Sequence, residues 1–159
     1  MPGTIADTTV LSNFAHVRRP FLLRQLFPSL GSPVSVFGEL SRGVRSGLVP
    51  KCDWTWLEIV PLTAAENAHA TELLSVLERG EADCIALVRA RGGVVLTDDR
   101  DARKVAALLG LEISGTLGCL DLLVQEELLD LKAAEALLGE MIACGYRSPV
   151  QSLRQLFGT

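Results

Sequence analysis

Apolar and polar positions fall into two regimes along this chain: short, wholly apolar runs, and longer stretches with helical spacing. Val94-Val95-Leu96 is the clearest short run. It follows a tight turn at Gly92-Gly93 and shows no polar alternation, as a strand covered on both faces requires. Thr4-Ile5-Ala6 leads into a similar short strand ending at Asp7, followed by a helix that starts near Thr8 or Thr9, either of which can cap it. The spacing in Phe21-Leu22-Leu23-Arg24-Gln25-Leu26-Phe27 predicts a helix that Pro28 ends. Ser32-Pro33 has the form of a helix start, a capping hydroxyl followed by proline at the first helical position. That helix carries Val36, Phe37 and Leu40 on its apolar stripe, with Glu39 beside the stripe.

Past the polar break Lys51-Cys52-Asp53, Trp54 to Val60 predicts the next strand, ended by Pro61, with Trp54 and Trp56 on one side by the two-residue period. Thr63 and Glu66 have capping-box spacing and open a helix that carries Leu73, Leu74 and Leu77 and closes at Gly80. The next helix opens on Gly80 and Glu81, turns Ile85, Ala86 and Val88 inward, and ends in Arg89 and Arg91, where the helix dipole favours cations. After the acidic loop Thr97-Asp98-Asp99-Arg100-Asp101, a helix runs from Ala102 to Leu109 and stops at Gly110. Leu111-Glu112-Ile113 is a short last strand, and Gly115-Thr116 opens a helix through Leu117, Leu120, Leu123 and Val124. Asp130 caps the segment Leu131 to Cys144, which Gly145 terminates, and a final amphipathic helix passes through Leu153, Leu156 and Phe157. This alternation predicts the α/β class: one three-layer domain over residues 1–159, a parallel sheet of four to five strands flanked by helices.

Composition narrows the function. The 159 residues suffice for a core without disulfide staples. Hydrophobic residues make up 48%, yet no apolar run reaches the ~20 residues of a membrane helix. The opening MPGTIAD has no basic region followed by an apolar stretch, so no secretory leader is expected and a cytoplasmic location is. Cys52, Cys84, Cys119 and Cys144 form no C-x-x-C pair and are expected to be reduced thiols. With only His16 and His69 as histidines, a histidine-based triad or zinc set lacks ligands. No glycine-rich phosphate-loop pattern is present. The net charge of -4 argues against holding duplex DNA by bulk electrostatics.

What remains is acidic chemistry. Asp7 and the Asp98/Asp99 pair stand at the carboxyl ends of strands, the edge where open α/β sheets bind ligands. Glu39 and Glu81 lie on helices. Each acid has an ordinary structural use, as a cap, a solvated surface group or a first-turn carboxylate. Brought together, they repel one another unless a cation is shared. An all-oxygen set selects Mg²⁺ or Mn²⁺ over zinc. Such an ion supports phosphodiester hydrolysis by activating water, with no protein nucleophile.

Four blocks in order then carry a resemblance: Ile5-Ala6-Asp7-Thr8-Thr9-Val10-Leu11, Val36-Phe37-Gly38-Glu39-Leu40, Gly80-Glu81-Ala82-Asp83-Cys84-Ile85-Ala86-Leu87, and Leu96-Thr97-Asp98-Asp99-Arg100-Asp101-Ala102-Arg103. Gly115-Thr116-Leu117-Gly118 and Gly145-Tyr146-Arg147-Ser148-Pro149 are similar to motifs of a subfamily. The chain resembles the PIN-domain family and, within it, the toxin ribonucleases of prokaryotic toxin-antitoxin pairs. The resemblance implies a Mg²⁺- or Mn²⁺-dependent ribonuclease acting on single-stranded RNA, a homodimer, and a small antitoxin partner. It also implies that Asp7, Glu39 and Glu81 are the first three acids of the site, with the fourth open among Asp98, Asp99 and Asp101 and Thr8 and Thr97 as hydroxyl neighbours. The alternative is a catalytically silent PIN-like module that binds RNA or protein, distinguished by weak or absent Mn²⁺ binding. The apolar helices Gly115 to Gln125 and Asp130 to Cys144 are expected to supply part of the homodimer interface.

Overall fold

A computed structural model describes residues 3–156. Its strands are β1 (Thr4–Ala6), β2 (Gly31–Pro33), β3 (Glu58–Val60), β4 (Val94–Leu96) and β5 (Glu112–Ser114). The helices are α1 (Thr8–His16), α2 (Phe21–Leu26), α3 (Val34–Arg45), α4 (Ala64–Leu73), α5 (Arg79–Arg91), α6 (Arg100–Leu108), α7 (Thr116–Gln125) and α8 (Leu131–Ala143). All neighbouring strands pair in parallel, in the order β3-β2-β1-β4-β5. The five-stranded sheet with its flanking helices is the α/β architecture expected.

From β1 the chain winds outward through β2 and β3, then returns to place β4 on the other side of β1 and β5 beyond it. The order therefore reverses between β1 and β4. Outside the carboxyl ends of strands at such a reversal, the flanking loops part and leave a crevice. Asp7 follows β1 and Thr97-Asp98-Asp99 follow β4, so both acidic segments stand at that crevice.

Helices cover both faces. Ala70, Leu77, Ala82, Ile85, Ala86, Ala102 and Ala106 form a small-residue cluster joining α4, α5 and α6. The larger core gathers Ile5, Leu11, Phe14, Leu23, Leu30, Leu40, Leu96, Leu120, Leu123 and Leu138, all fully buried. Each such side chain removed from water contributes roughly 1.5–3 kcal/mol. Gly93 is required where it stands: its φ is +106°, and a Cβ there would lie 2.3 Å from the Gly3 carbonyl oxygen.

Several boundaries differ from the sequence expectation. Ser32 and Pro33 belong to β2 and α3 begins at Val34, because the Ser32 hydroxyl donates to the Ala6 carbonyl across the sheet (2.7 Å) rather than capping a helix. The strand expected from Trp54 shrinks to Glu58–Val60. Asp53 accepts from the Thr55 N–H (2.9 Å) and hydroxyl (2.6 Å), and the Trp56 indole N–H donates to the Asp53 carbonyl (2.9 Å), which folds the preceding residues into a turn. Trp54 and Trp56 nevertheless adjoin, with ring centroids 5.7 Å apart. The Thr63–Glu66 capping box is present, but α4 stops at Leu73, so Leu74 and Leu77 lie beyond it. Gly80 closes nothing; it sits inside the first turn of α5. The final helix is a single 3₁₀ turn, Leu153–Gln155, and Phe157 lies outside the described residues.

Cys84 and Cys119 are buried thiols, Cys52 is half-buried and Cys144 exposed, all four free. The apolar residues of α7 and α8 are largely consumed by the core: Leu120, Leu123, Ala134, Leu137, Leu138 and Met141 are buried. Among the described residues, no helix is long and apolar enough to cross a membrane.

Candidate active site at the carboxyl edge of the sheet

Asp7 is the hinge of the site. It is 1% exposed and caps α1 itself, in place of Thr8 or Thr9: its Oδ1 accepts from the Thr9 N–H (3.0 Å), the Thr9 hydroxyl (2.5 Å) and the Val10 N–H (3.4 Å). Its Oδ2 accepts from the Thr97 hydroxyl. The two threonines also tie down the loop after β4. The Asp98 N–H donates to the Thr9 hydroxyl oxygen (2.8 Å), and the Asp99 N–H donates to the Thr97 hydroxyl oxygen (3.1 Å). Two hydroxyls thus bracket one carboxylate and fix the ends of β1 and β4 relative to each other. Burial pushes the Asp7 carboxyl up to about 6 against these hydrogen bonds, and the charge of Asp98 adds to the rise.

Glu81 enters from the first turn of α5, half-buried, and one oxygen accepts from the Glu78 N–H at 3.2 Å. Burial raises its carboxyl to about 7, and the charges of Asp99 and Asp7 act in the same direction. A glutamate in a first helical turn ordinarily gains from the dipole. Here that gain loses to desolvation and neighbouring carboxylates. Asp7, Glu81 and Asp99, with Asp98 acting on Asp7, therefore form one electrostatic group.

The three candidates for the fourth acid differ in what they hold. Asp98 is a structural clasp: it accepts from the Thr116 N–H (2.8 Å), the Thr116 hydroxyl and the Asn13 amide (3.1 Å), joining β4 to α1 and α7. Asp99 caps α6 through one oxygen, accepting from the Ala102 N–H at 2.8 Å, and its charge reaches Glu81. Asp101 is exposed in the first turn of α6. Asp83 is likewise accounted for, held by the Ser35 hydroxyl (2.6 Å) and an ion pair with Arg79 at 3.1 Å whose angle is poor for a hydrogen bond.

Glu39 stands at the rim. Its carboxylate rests against the first turn of α5, 3.1 Å from where a Gly80 Cβ would project, so a glycine at 80 makes room for it. The buried Cys84 thiol is pushed up by burial and then by the charges of Asp7, Asp83, Glu81 and Glu39 around it. Glu39 thus lies close to the group, at its rim. Sequence reasoning missed Thr9, whose hydroxyl does the work expected of Thr8; the Thr8 hydroxyl is buried with no partner among the described residues.

Whether these groups suit a cation depends on their chemistry. The donors are all oxygen, two carboxyls are held up at about 6 and about 7 by burial and by neighbouring carboxylates, and the Thr8 hydroxyl next to Asp7 is buried without a partner among the described residues. Among the described residues, no group of three or more His, Cys, Asp or Glu side chains stands close enough together to hold a metal ion by itself. A hydrated Mg²⁺ or Mn²⁺ needs no such group, since Mg²⁺ keeps several waters and takes one or two carboxylates. The site fits a hydrated hard cation and does not fit zinc.

Comparison with known proteins then places the architecture. A family model described as a PIN domain matches residues 3–158. The chain belongs to the PIN-domain family. Its fold is of the nuclease type. A search among curated proteins finds no match to the chain.

Proposed function

We propose that this PIN domain is a metal-dependent ribonuclease that hydrolyses phosphodiester bonds of single-stranded RNA. The observation that carries the reading is the coupled carboxyl group of Asp7, Glu81 and Asp99 at the strand-order reversal, with Asp7 raised to about 6 and Glu81 to about 7. Crowded, buried carboxylates cost stability unless a cation offsets their charge. Asp7, Glu81 and Asp99 would hold Mg²⁺ or Mn²⁺, with Glu39 at the rim to receive a bound water. A bound cation supplies an activated water and counter-charge for the negative charge that develops on the phosphoryl oxygens. The chain's own residues position it: Thr9 and Thr97 hold Asp7, and Asp98 anchors the loop from which Asp99 projects. Single strands suit a site whose loops read backbone and splayed bases rather than a duplex groove.

The finer assignment is a toxin ribonuclease, cytoplasmic and homodimeric, with a small antitoxin partner; its support is the resemblance of the motif blocks. Because α7 and α8 spend their apolar residues on the core, the dimer interface falls to exposed side chains such as Leu48, Leu108 and Val76. Light scattering at micromolar concentration tests it, and a strict monomer rejects it.

A second reading, a silent RNA- or protein-binding module, draws on one observation: four hydrogen bonds already occupy the Asp7 oxygens. A labelled single-stranded RNA distinguishes the two. Cleavage with Mn²⁺ that stops in EDTA supports the enzyme, and an intact RNA in both supports the module.

A further inference from the structure

Gly115-Thr116-Leu117-Gly118 and Gly145-Tyr146-Arg147-Ser148-Pro149 have no part in the carboxylate group, yet the structure brings them together. Residues of both line one cavity of about 270 Å³ beside Asp98, with Arg103, Ile113 and Ser114 also in its wall. Both glycines make the cavity possible. A Cβ on Gly115 would lie 2.5 Å from Asp98 Oδ1 and 3.0 Å from Arg103 Nη1, and one on Gly118 would lie 2.0 Å from the Ser114 hydroxyl.

The lining is built for an anion. Arg103 spends one nitrogen on the Thr97 carbonyl (2.9 Å) and has other donors left. Arg147 is exposed and makes no hydrogen bond or ion pair within the described residues. Tyr146 adds a wall to the cavity, its phenol pushed up by burial and by the charge of Asp98 and engaged by the Ser148 hydroxyl. The first turn of α7 lines the same cavity through Leu117 and Gly118, and its Thr116 N–H is taken by Asp98. Asp98 opposes an anion, but three donors already satisfy it. Two guanidiniums against one carboxylate leave the lining net positive by one charge. Planar guanidinium forks match phosphate oxygens bidentately.

We propose that this cavity binds a backbone phosphate of the RNA strand next to the one being cut, with Arg147 and Arg103 as its forks. The inference rests on the ribonuclease reading and assigns the strand's path: from the carboxylate group past Asp98, toward the first turn of α7. Asp98, whose charge reaches both Asp7 and Tyr146, lies between the two sites. Arg147 is here a positioning residue. It grips the strand and leaves the chemistry to the carboxylates.

The test is anisotropy of a labelled single-stranded RNA bound to the full chain in EDTA, between 50 and 200 mM salt, for wild type, Arg147→Ala, Arg147→Lys and Arg89→Ala. Each phosphate contact on a single strand contributes about 0.7 to the slope of log affinity against log salt. Arg147→Ala is expected to weaken binding and make that slope shallower by about 0.7, with an unchanged melting temperature because the side chain has no partner. Arg147→Lys should fall between, keeping charge without the fork, and Arg89→Ala, at the far end of α5, should match wild type. In cleavage, Arg147→Ala should raise KM with kcat unchanged. RNA binding by wild type with the same slope in Arg147→Ala overturns the assignment while leaving the ribonuclease reading standing. No RNA binding by wild type in EDTA also overturns the assignment, and the ribonuclease reading then stands or falls on Mn²⁺-dependent cleavage alone. Inorganic phosphate that binds in an Arg147-dependent way, with the RNA slope unmoved, would show a free-anion site and also overturn the assignment.

Discussion

Replacing Asp7 by Asn separates the metal-site account from a purely structural one. The Asp7 carboxyl is buried and raised from its ordinary 3.8 to about 6, so its ionised form costs the folded state about 3 kcal/mol at neutral pH. Asparagine keeps an Oδ1 for the Thr9 and Val10 N–H groups and caps a helix as well as aspartate does. Its amide replaces the oxygen that accepts from Thr97, so that hydroxyl must turn, at about 1–1.5 kcal/mol. The balance leaves Asp7→Asn more stable than wild type by about 1.5–2 kcal/mol at neutral pH in EDTA, roughly 4–6 °C in melting temperature. The pH dependence follows from the sign of the shift. A raised carboxyl pKa contributes stability below 3.8 that is lost as pH rises through about 6. The advantage of Asn is therefore absent near pH 3.8, grows between there and pH 6, and levels off above. Mn²⁺ should close or reverse the gap, because the wild type binds it more tightly. Thermal melts of both proteins across pH, in EDTA and in Mn²⁺, give the answer. If Asp7→Asn is destabilising at neutral pH in EDTA and Mn²⁺ shifts both proteins equally, Asp7 is only a cap and the coupled group does not exist.

Other outcomes follow from the same geometry. With the Glu81 carboxyl at about 7, protons compete with metal, and Mn²⁺ affinity measured by calorimetry should fall about tenfold between pH 8 and pH 6; a flat profile would remove Glu81 from the ligand set. Asp99→Asn should fold with near wild-type stability, because Asn still caps α6, yet lose Mn²⁺ binding and RNase activity. Asp98→Ala should cost about 2–3 kcal/mol in urea unfolding by stranding the Thr116 and Asn13 donors; equal behaviour of the two variants would undo the division of labour. Gly115→Ala drives a methyl to 2.5 Å from Asp98 Oδ1 and should destabilise by about 2 kcal/mol or more, read from the same unfolding curves.

Much of this was legible in the residues. β4 announced itself as an apolar triplet after two glycines, and the acidic loop behind it had to fall at a carboxyl edge once the sheet was parallel. Capping chemistry was legible at Thr63 and Asp130 because it is local. Ser32-Pro33 misled because the hydroxyl's partner, the Ala6 carbonyl, is 26 residues away, and local spacing cannot see it. Trp54 misled for the opposite reason: side-chain bonds from Asp53 to Thr55 override a good strand composition. The choice between Asp98 and Asp99 lay beyond any local pattern. In the structure the two differ because Thr116 and Asn13, brought there by α7 and α1, donate to Asp98. Thr9 was hidden behind Thr8 because either can stand at a helix start, and only the direction of the loop after β4 selects it.

The central claim is that Asp7, Glu81 and Asp99 hold a divalent cation with which the protein cuts RNA. Mn²⁺ titrated into the metal-free protein, with binding and cleavage of a labelled single-stranded RNA followed in the same samples, tests it most directly. The account predicts saturable binding whose midpoint coincides with that of activity, and loss of both in Glu81→Gln. Cleavage that persists in EDTA, or Mn²⁺ binding that Glu81→Gln leaves intact, would contradict it.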